Sequence, residues 1–212
     1  MHLLPGIVTD LHDPENLARV KVKFPWIGED IASFWCRLVA LGAGNDRGIE
    51  FLPEVDDEVL CIGLHLDNLY VLGGVWNRSD LPPLTNDQAA PSGDVEKRVI
   101  RSRTGHQILI DDGSDGGITI VDSTGGNKVQ LKTSDNSLLA EVTGDINLKA
   151  TGSINIEATG SISLKATANL SAEANGTASI KANGQASLEG GGAVSVKAGG
   201  VATLSGTSVS LG

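Results

Sequence analysis

From residue 144 onward the chain repeats every eight residues, and so short a period admits few folds. Gly144, Gly152, Gly160, Gly176, Gly184, Gly192 and Gly200 hold one phase, with Ala168 as the single exception. Two residues after each stands Ile146, Ile154, Ile162, Leu170, Ala178, Ala186, Val194 or Ala202. Two further on come Leu148, Ile156, Leu164, Ala172, Ile180, Leu188, Val196 and Leu204, with small polar residues between, from Asn147 through Ser163 to Thr203. This alternation makes each octad one short strand. Two aliphatics face inward, polar groups face outward, and a small residue makes the corner.

A second outward row reads Lys149, Glu157, Lys165, Glu173, Lys181, Glu189, Lys197 and then Ser205, so opposite charges alternate at every repeat. If successive repeats stack about 4.8 Å apart, each Lys lies between two Glu and like charges never meet. Exposed pairs contribute at most about 1 kcal/mol each, so the row is expected to set register more than stability. Two architectures fit. One chain could coil three octads per turn, each repeat stacking on the third one along. Alternatively, three chains wind about a common axis, each repeat stacking on the next repeat of a neighbour. Both offsets are odd, so the charge row satisfies either. Two aliphatics worth about 1.5–3 kcal/mol each when buried stand against eight residues of backbone ordering at about 1–2 kcal/mol each. That balance favours three intertwined chains, which gain burial and hydrogen bonds from one another.

The N-terminal part is a different polypeptide. All seven aromatics lie between Phe24 and Trp76, all seven prolines end at Pro91, and 18 of the 27 glycines follow residue 96. Residues 1–96 carry 16 acids against 6 bases, whereas 97–212 carry 10 of each. The overall charge of −10 argues against a nucleic-acid partner, which needs surplus Lys and Arg. No apolar run approaches the length of a membrane span, and Met1-His2-Leu3-Leu4-Pro5 lacks the basic start and long apolar stretch of a signal peptide. Synthesis and assembly in the cytoplasm are therefore expected. Cys36 and Cys61 sit in apolar strand-like runs and read as buried thiols.

Residues 1–78 read as short strands, with Arg19-Val20-Lys21-Val22-Lys23-Phe24 alternating cleanly between basic and apolar. Further strand candidates are 6–11, 34–41, 57–64 and 69–76, separated by turn signals such as Asp13-Pro14 and Gly28-Glu29-Asp30. Five short strands without an amphipathic helix suggest a small closed barrel of the OB type. The motifs carry more. Gly6-Ile7-Val8-Thr9-Asp10, Asp13-Pro14-Glu15 and Arg19 through Trp26 come first. Trp35-Cys36-Arg37, Phe51 through Leu60 and Val71-Leu72-Gly73-Gly74-Val75-Trp76-Asn77 follow in order. This series resembles the OB domain of central spikes in contractile injection systems, as in phage baseplate assembly protein V and VgrG-like spikes. The family usually has Gly where this chain has Asp56. OB domains that bind nucleic acid use basic grooves with exposed aromatics. Here Trp26, Trp35 and Trp76 sit in apolar strand contexts of an acidic domain, so that role is not expected.

Residues 79–96 are polar, proline-bearing and aperiodic, and read as a linker. From Lys97 a new strand series runs to 143, through 107–111, 118–122, 128–132 and 138–142. Its opening, Arg101-Ser102-Arg103-Thr104-Gly105-His106, is similar to the segment that starts the spike's needle. Asp111-Asp112-Gly113-Ser114-Asp115 lacks the regular ligand alternation and distal Glu of a calcium loop, and His106 has no nucleophile partner. No catalytic residue, metal site or cofactor is expected.

The resemblance implies an all-β chain: an OB barrel over 1–78, then a linker, transition strands over 97–143, and a triple-stranded β-helical needle over 144–212 in an intertwined homotrimer. It also implies a mechanical role, in which the barrel docks on a baseplate hub protein and the needle pierces a membrane it meets only transiently. Starting at Met1 just before the barrel, the sequence does not include the long hub region of a VgrG protein, as expected of the short phage-like form or of a trimmed chain. The octad phase fails at the end, where Val209 and Leu211 come one residue early. No histidine follows His106 to close the tip with a metal, so Thr207, Ser208, Val209, Ser210, Leu211 and Gly212 are expected to receive a separate cap. By resemblance that cap is a PAAR-like protein. Two other classes compete. A tailspike-type polysaccharide-degrading enzyme would need paired carboxylates and aromatic sugar platforms, which the repeat lacks. A trimeric adhesion fibre would need a globular tip.

Overall fold

The computed structural model describes residues 2–28 and 31–210, and the chain divides into two units, Met1–Leu148 and Lys149–Gly212. Glu29, Asp30, Leu211 and Gly212 lie outside the described residues. In the first unit, β1 (His2–Asp10), β2 (Arg19–Lys23), β3 (Cys36–Leu38), β4 (Glu58–Gly63) and β5 (Leu69–Gly74) close into a barrel in the order β1-β2-β3-β5-β4. Every pairing is antiparallel except β3 with β5, where Arg37 faces Tyr70 and Leu38 faces Val71. The interior holds Val8, Val20, Val22, Phe24, Cys36, Val59, Cys61, Leu69 and Val71. Strand β2 shows why: Val20 and Val22 are fully buried, while Arg19, Lys21 and Lys23 line the outside. At Gly6 a Cβ would overlap Val22, so only glycine lets β1 pass that close to β2.

The three tryptophans do not fill this interior. Trp26 is 52% and Trp76 67% exposed, and Trp35 is half-buried with the Lys21 ammonium 4.9 Å from its ring centroid. Trp26 lies in the turn after β2 and Trp76 beyond the end of β5, where the barrel has already closed. An interior this small is filled by five valines, two cysteines, a leucine and one phenylalanine.

The connection from β1 to β2 is pinned by Asp13. Its carboxylate accepts N–H bonds from Glu15 at 3.1 Å and Leu17 at 2.8 Å, and pairs with Arg19 through Nε at 3.0 Å and Nη2 at 2.5 Å. These partners hold a loop in which Asn16 and Ala18 both take positive φ, a conformation costly for residues with a Cβ. The Arg19 guanidinium, more than any other partner, holds the Asp13 carboxyl well below the usual carboxylate range.

The stretch read as a linker contains a one-turn helix, α1 (Asn86–Ala89). Thr85 Oγ1 accepts the Gln88 N–H at 3.3 Å, and Gln88 Oε1 accepts the Thr85 N–H at 2.9 Å, a reciprocal cap. Beyond it, β6 (Lys97–Arg101), β7 (Gln107–Asp111), β8 (Gly117–Val121), β9 (Lys128–Lys132) and β10 (Ser137–Glu141) form a five-stranded antiparallel meander. The expected strands are all present, with ends moved by a residue at most. They belong to a flat-ordered sheet rather than to a helix of strands.

The octads contain no strand among residues 142–210 of the single chain. They are nevertheless periodic. Two-residue bends fall at 143–144, 151–152, 159–160, 167–168, 175–176, 183–184, 191–192 and 199–200, in phase with the repeat. The bend at 167–168 persists although Ala168 replaces glycine. A single chain coiled three octads per turn would pair its own strands, and no such ladder exists among the described residues. The β-helix expected over 144–212 is therefore not formed among the described residues of this one chain, whose octads read as strands in sequence and find no pairing partner here.

Candidate assembly surfaces

The meander's register sorts its side chains into two faces. On one, Ile110, Ile118, Leu131 and Leu138 align across the strands, with Ile100, Ile108, Ile120, Val129 and Ala140 in the adjacent row. Strict antiparallel pairing without a bulge produces these aliphatic ladders, because residues facing each other across every pair point the same way. The opposite face mixes Val99, Leu109 and Leu139 with Thr119, Gln130 and Lys128. The eight large aliphatics of the apolar face are 39–67% exposed. An apolar surface so continuous is uncommon on a protein that works alone.

The octads repeat this in a stronger form. Their large aliphatics are 51–96% exposed, Ile180 most of all. Lys149, Glu157, Lys165, Glu173, Lys181, Glu189 and Lys197 are all exposed, and among the described residues none forms an ion pair within the chain. The corner glycines meet neither of the usual reasons for glycine. At Gly144, Gly152, Gly160, Gly176, Gly184, Gly192 and Gly200 nothing lies within 4 Å of where a Cβ would sit, and none has φ in the left-handed region. Of the residues expected at the tip, Thr207 to Ser210 are exposed and irregular, while Leu211 and Gly212 fall outside the described residues.

The barrel carries an open apolar groove lined by Leu4, Ile27, Phe34, Leu64, Leu66 and Leu69. Chemistry-bearing groups are sparse. Among the described residues no cluster of three or more His, Cys, Asp or Glu is placed to hold a metal ion. No helix there is long and apolar enough to cross a membrane. Cys36 and Cys61 are buried and free. Burial raises both thiols, and for Cys61 the nearby Cys36 adds to it, pushing Cys61 to about 12. A thiol ionises near 8.5 in an unfolded chain. Stability from these groups is thus complete below about 8.5 and is lost as pH rises toward 12. Urea midpoints measured from pH 8 upward should fall with a slope that Cys61→Ala reduces, and a thiol reagent should react with neither cysteine until the barrel unfolds.

The strand order β1-β2-β3-β5-β4, closed on itself with one parallel contact, defines an OB-type barrel. Residues 4–76 match the family described as the type VI secretion system/phage-baseplate injector OB domain. Over these residues the chain carries a domain of the injector type found in type VI secretion systems and phage baseplates, which supports a role of the baseplate-spike kind. No curated protein matches the chain.

Proposed function

We propose that three copies of this chain form the central, membrane-piercing spike of a contractile injection machine. The observation that carries this reading is the exposed aliphatic surface of residues 97–210, continuous in sequence and uncovered in one chain. At roughly 25 cal/mol per Å² of apolar surface, leaving it in water forfeits most of what could order the chain. Copies of the same chain offer the matching period, the missing strand partners and the alternating charge. Corner glycines with open space around them suit close approach by neighbouring chains. In this reading the octads become a triple-stranded β-helix, the barrel docks on the baseplate hub through its apolar groove, and a PAAR-like protein caps residues 207–212. The spike acts by force, without catalysis, cofactor or nucleic acid. It is assembled in the cytoplasm and crosses the target envelope when the machine fires. Light scattering on the full chain tests the foundation: about three times the 21.9 kDa chain mass is expected, and a monomer would remove the reading.

Two further outcomes follow. Glu173→Lys places three successive lysines, at 165, 173 and 181, along the charge row. Trimer assembly should slow in low salt and recover as salt screens charges beyond about 8–10 Å. Stopped-flow or light-scattering kinetics indifferent to both substitution and salt would discard the register explanation. Deleting residues 207–212 should abolish a three-to-one complex with a co-expressed PAAR-like protein while leaving the trimer intact. A complex that survives the deletion places the cap elsewhere.

A further inference from the structure

The octad frame does not begin at residue 144. Counting back eight residues from the first repeat lands on β10: Leu138 for Ile146, Leu139 for Asn147, Ala140 for Leu148 and Glu141 for Lys149. The structure makes this more than arithmetic. Leu138 and Ala140 lie on the apolar face, opposite Leu131 and Val129, so they occupy the inward positions of an octad. Glu141 holds the charge-row position with the sign opposite to Lys149, and the Lys128 ammonium of β9 lies 3.0 Å from its carboxylate. The row therefore runs Lys128, Glu141, Lys149, Glu157, and its first step is an ion pair already formed inside the folded sheet.

The two open edges of the sheet are unlike. Strand β6 carries Lys97, Arg98 and Arg101 in five residues, the kind of charge that discourages a further strand. Strand β10, Ser137-Leu138-Leu139-Ala140-Glu141, has no cation and is exposed at every residue. Among the described residues no other strand pairs with its outer edge.

We propose that β10 is the founding octad of the needle, and that its open edge receives residues 144–151 of a neighbouring copy. Glu141 then lies between Lys128 of its own chain and Lys149 of that copy. This rests on the trimeric reading, and adds to it the docking segment, its one-octad offset and a direction of growth. The sheet pairs its strands within one chain and so presents a formed edge. Octads add to that edge from residue 144 toward the C-terminus, and the chains need not close a needle from three disordered segments at once.

The test uses the full-length chain, assembled from a mixture of ¹⁴N- and ¹⁵N-labelled copies and treated with a carbodiimide, which joins a carboxylate to an amine in ion-pair contact. Mass spectrometry should find Glu141 linked to Lys149 in peptides of mixed isotope. In parallel, the double variant Leu139→Cys/Asn147→Cys, oxidised with oxidised glutathione, should give a covalently closed trimer on a non-reducing gel, and neither single variant should. A trimer by light scattering in which Glu141 couples only to Lys128, and the double variant yields no covalent trimer, would overturn the proposed edge while leaving the trimer standing. Coupling of Glu141 to Lys149 within single-isotope peptides alone would overturn it too. A monomer by light scattering would remove both readings.

Discussion

Ile120→Asp is expected to dissolve the trimer into single chains whose barrel and sheet stay folded. Ile120 stands in the middle of the inner aliphatic row of the meander, between Ile108 and Val129. It is half exposed in one chain, so the carboxylate costs an isolated copy little. In an assembly that closes the apolar faces on one another, three carboxylates would enter a dry interior with no partner. An unpaired buried charge costs several kcal/mol at each copy, and without the closed sheets the octads have no founding edge on which to assemble. Light scattering should then return the mass of one chain, while the near-ultraviolet signal of the barrel aromatics stays native. Gln130→Glu, on the opposite face of the same sheet, should leave the trimer unchanged. A trimer that persists in Ile120→Asp would mean that this face is not where the copies meet.

The sequence was most legible where one residue type decides one position. Strand β2 is the clearest case, since alternation from Arg19 to Lys23 gives both the strand and its inside. Edges of elements were harder. The tryptophans sit in apolar surroundings in sequence, yet Trp26 and Trp76 lie past the ends of the strands, where neighbours in sequence no longer predict neighbours in space. Helix α1 escaped because a single turn has no periodicity, although Thr85 followed three residues later by Gln88 is a capping signal that could have revealed it. The octad frame of β10 was masked by substitution at three of its marks. Asn136 stands where glycine recurs, Leu139 where a small polar residue recurs, and Ala140 where a large aliphatic is usual in the early repeats. The pairing of Leu138 with Leu131 and of Ala140 with Val129 puts both on the apolar face, which is what aligns them with the inward positions of the octads. The assembly surfaces were visible as pattern, but a pattern does not say which chain covers it. An exposed aliphatic ladder in a single folded chain does supply that question in physical form.

The largest effect on stability is expected from Phe24→Ala in the barrel. Phe24 is the largest fully buried side chain, surrounded by valines and cysteines whose combined volume is small. Its ring lies against the path of β1 at Gly6, a position that accepts no side chain because Val22 and Phe24 already fill the space. Its backbone also closes the loop after β2, donating to the Ile31 carbonyl at 2.9 Å and accepting from Ile27 at 3.0 Å. With β1, β2 and the loop all fixed around it, the site has little room to collapse. The cavity term should therefore fall at the upper end of the range for such truncations, about 3–5 kcal/mol. A domain of fewer than 80 residues seldom has more than about 3–5 kcal/mol to lose, so the barrel should unfold at room temperature. The octads contribute no side chain to this core. In the trimeric spike proposed above, the variant should keep its trimeric mass and the high-temperature transition of the octads, lose the low-temperature transition of the barrel, and lose the proposed attachment to the hub. Calorimetry separates these outcomes. A Phe24→Ala trimer that keeps both transitions would show that the barrel takes its stability from the assembly rather than from its own interior.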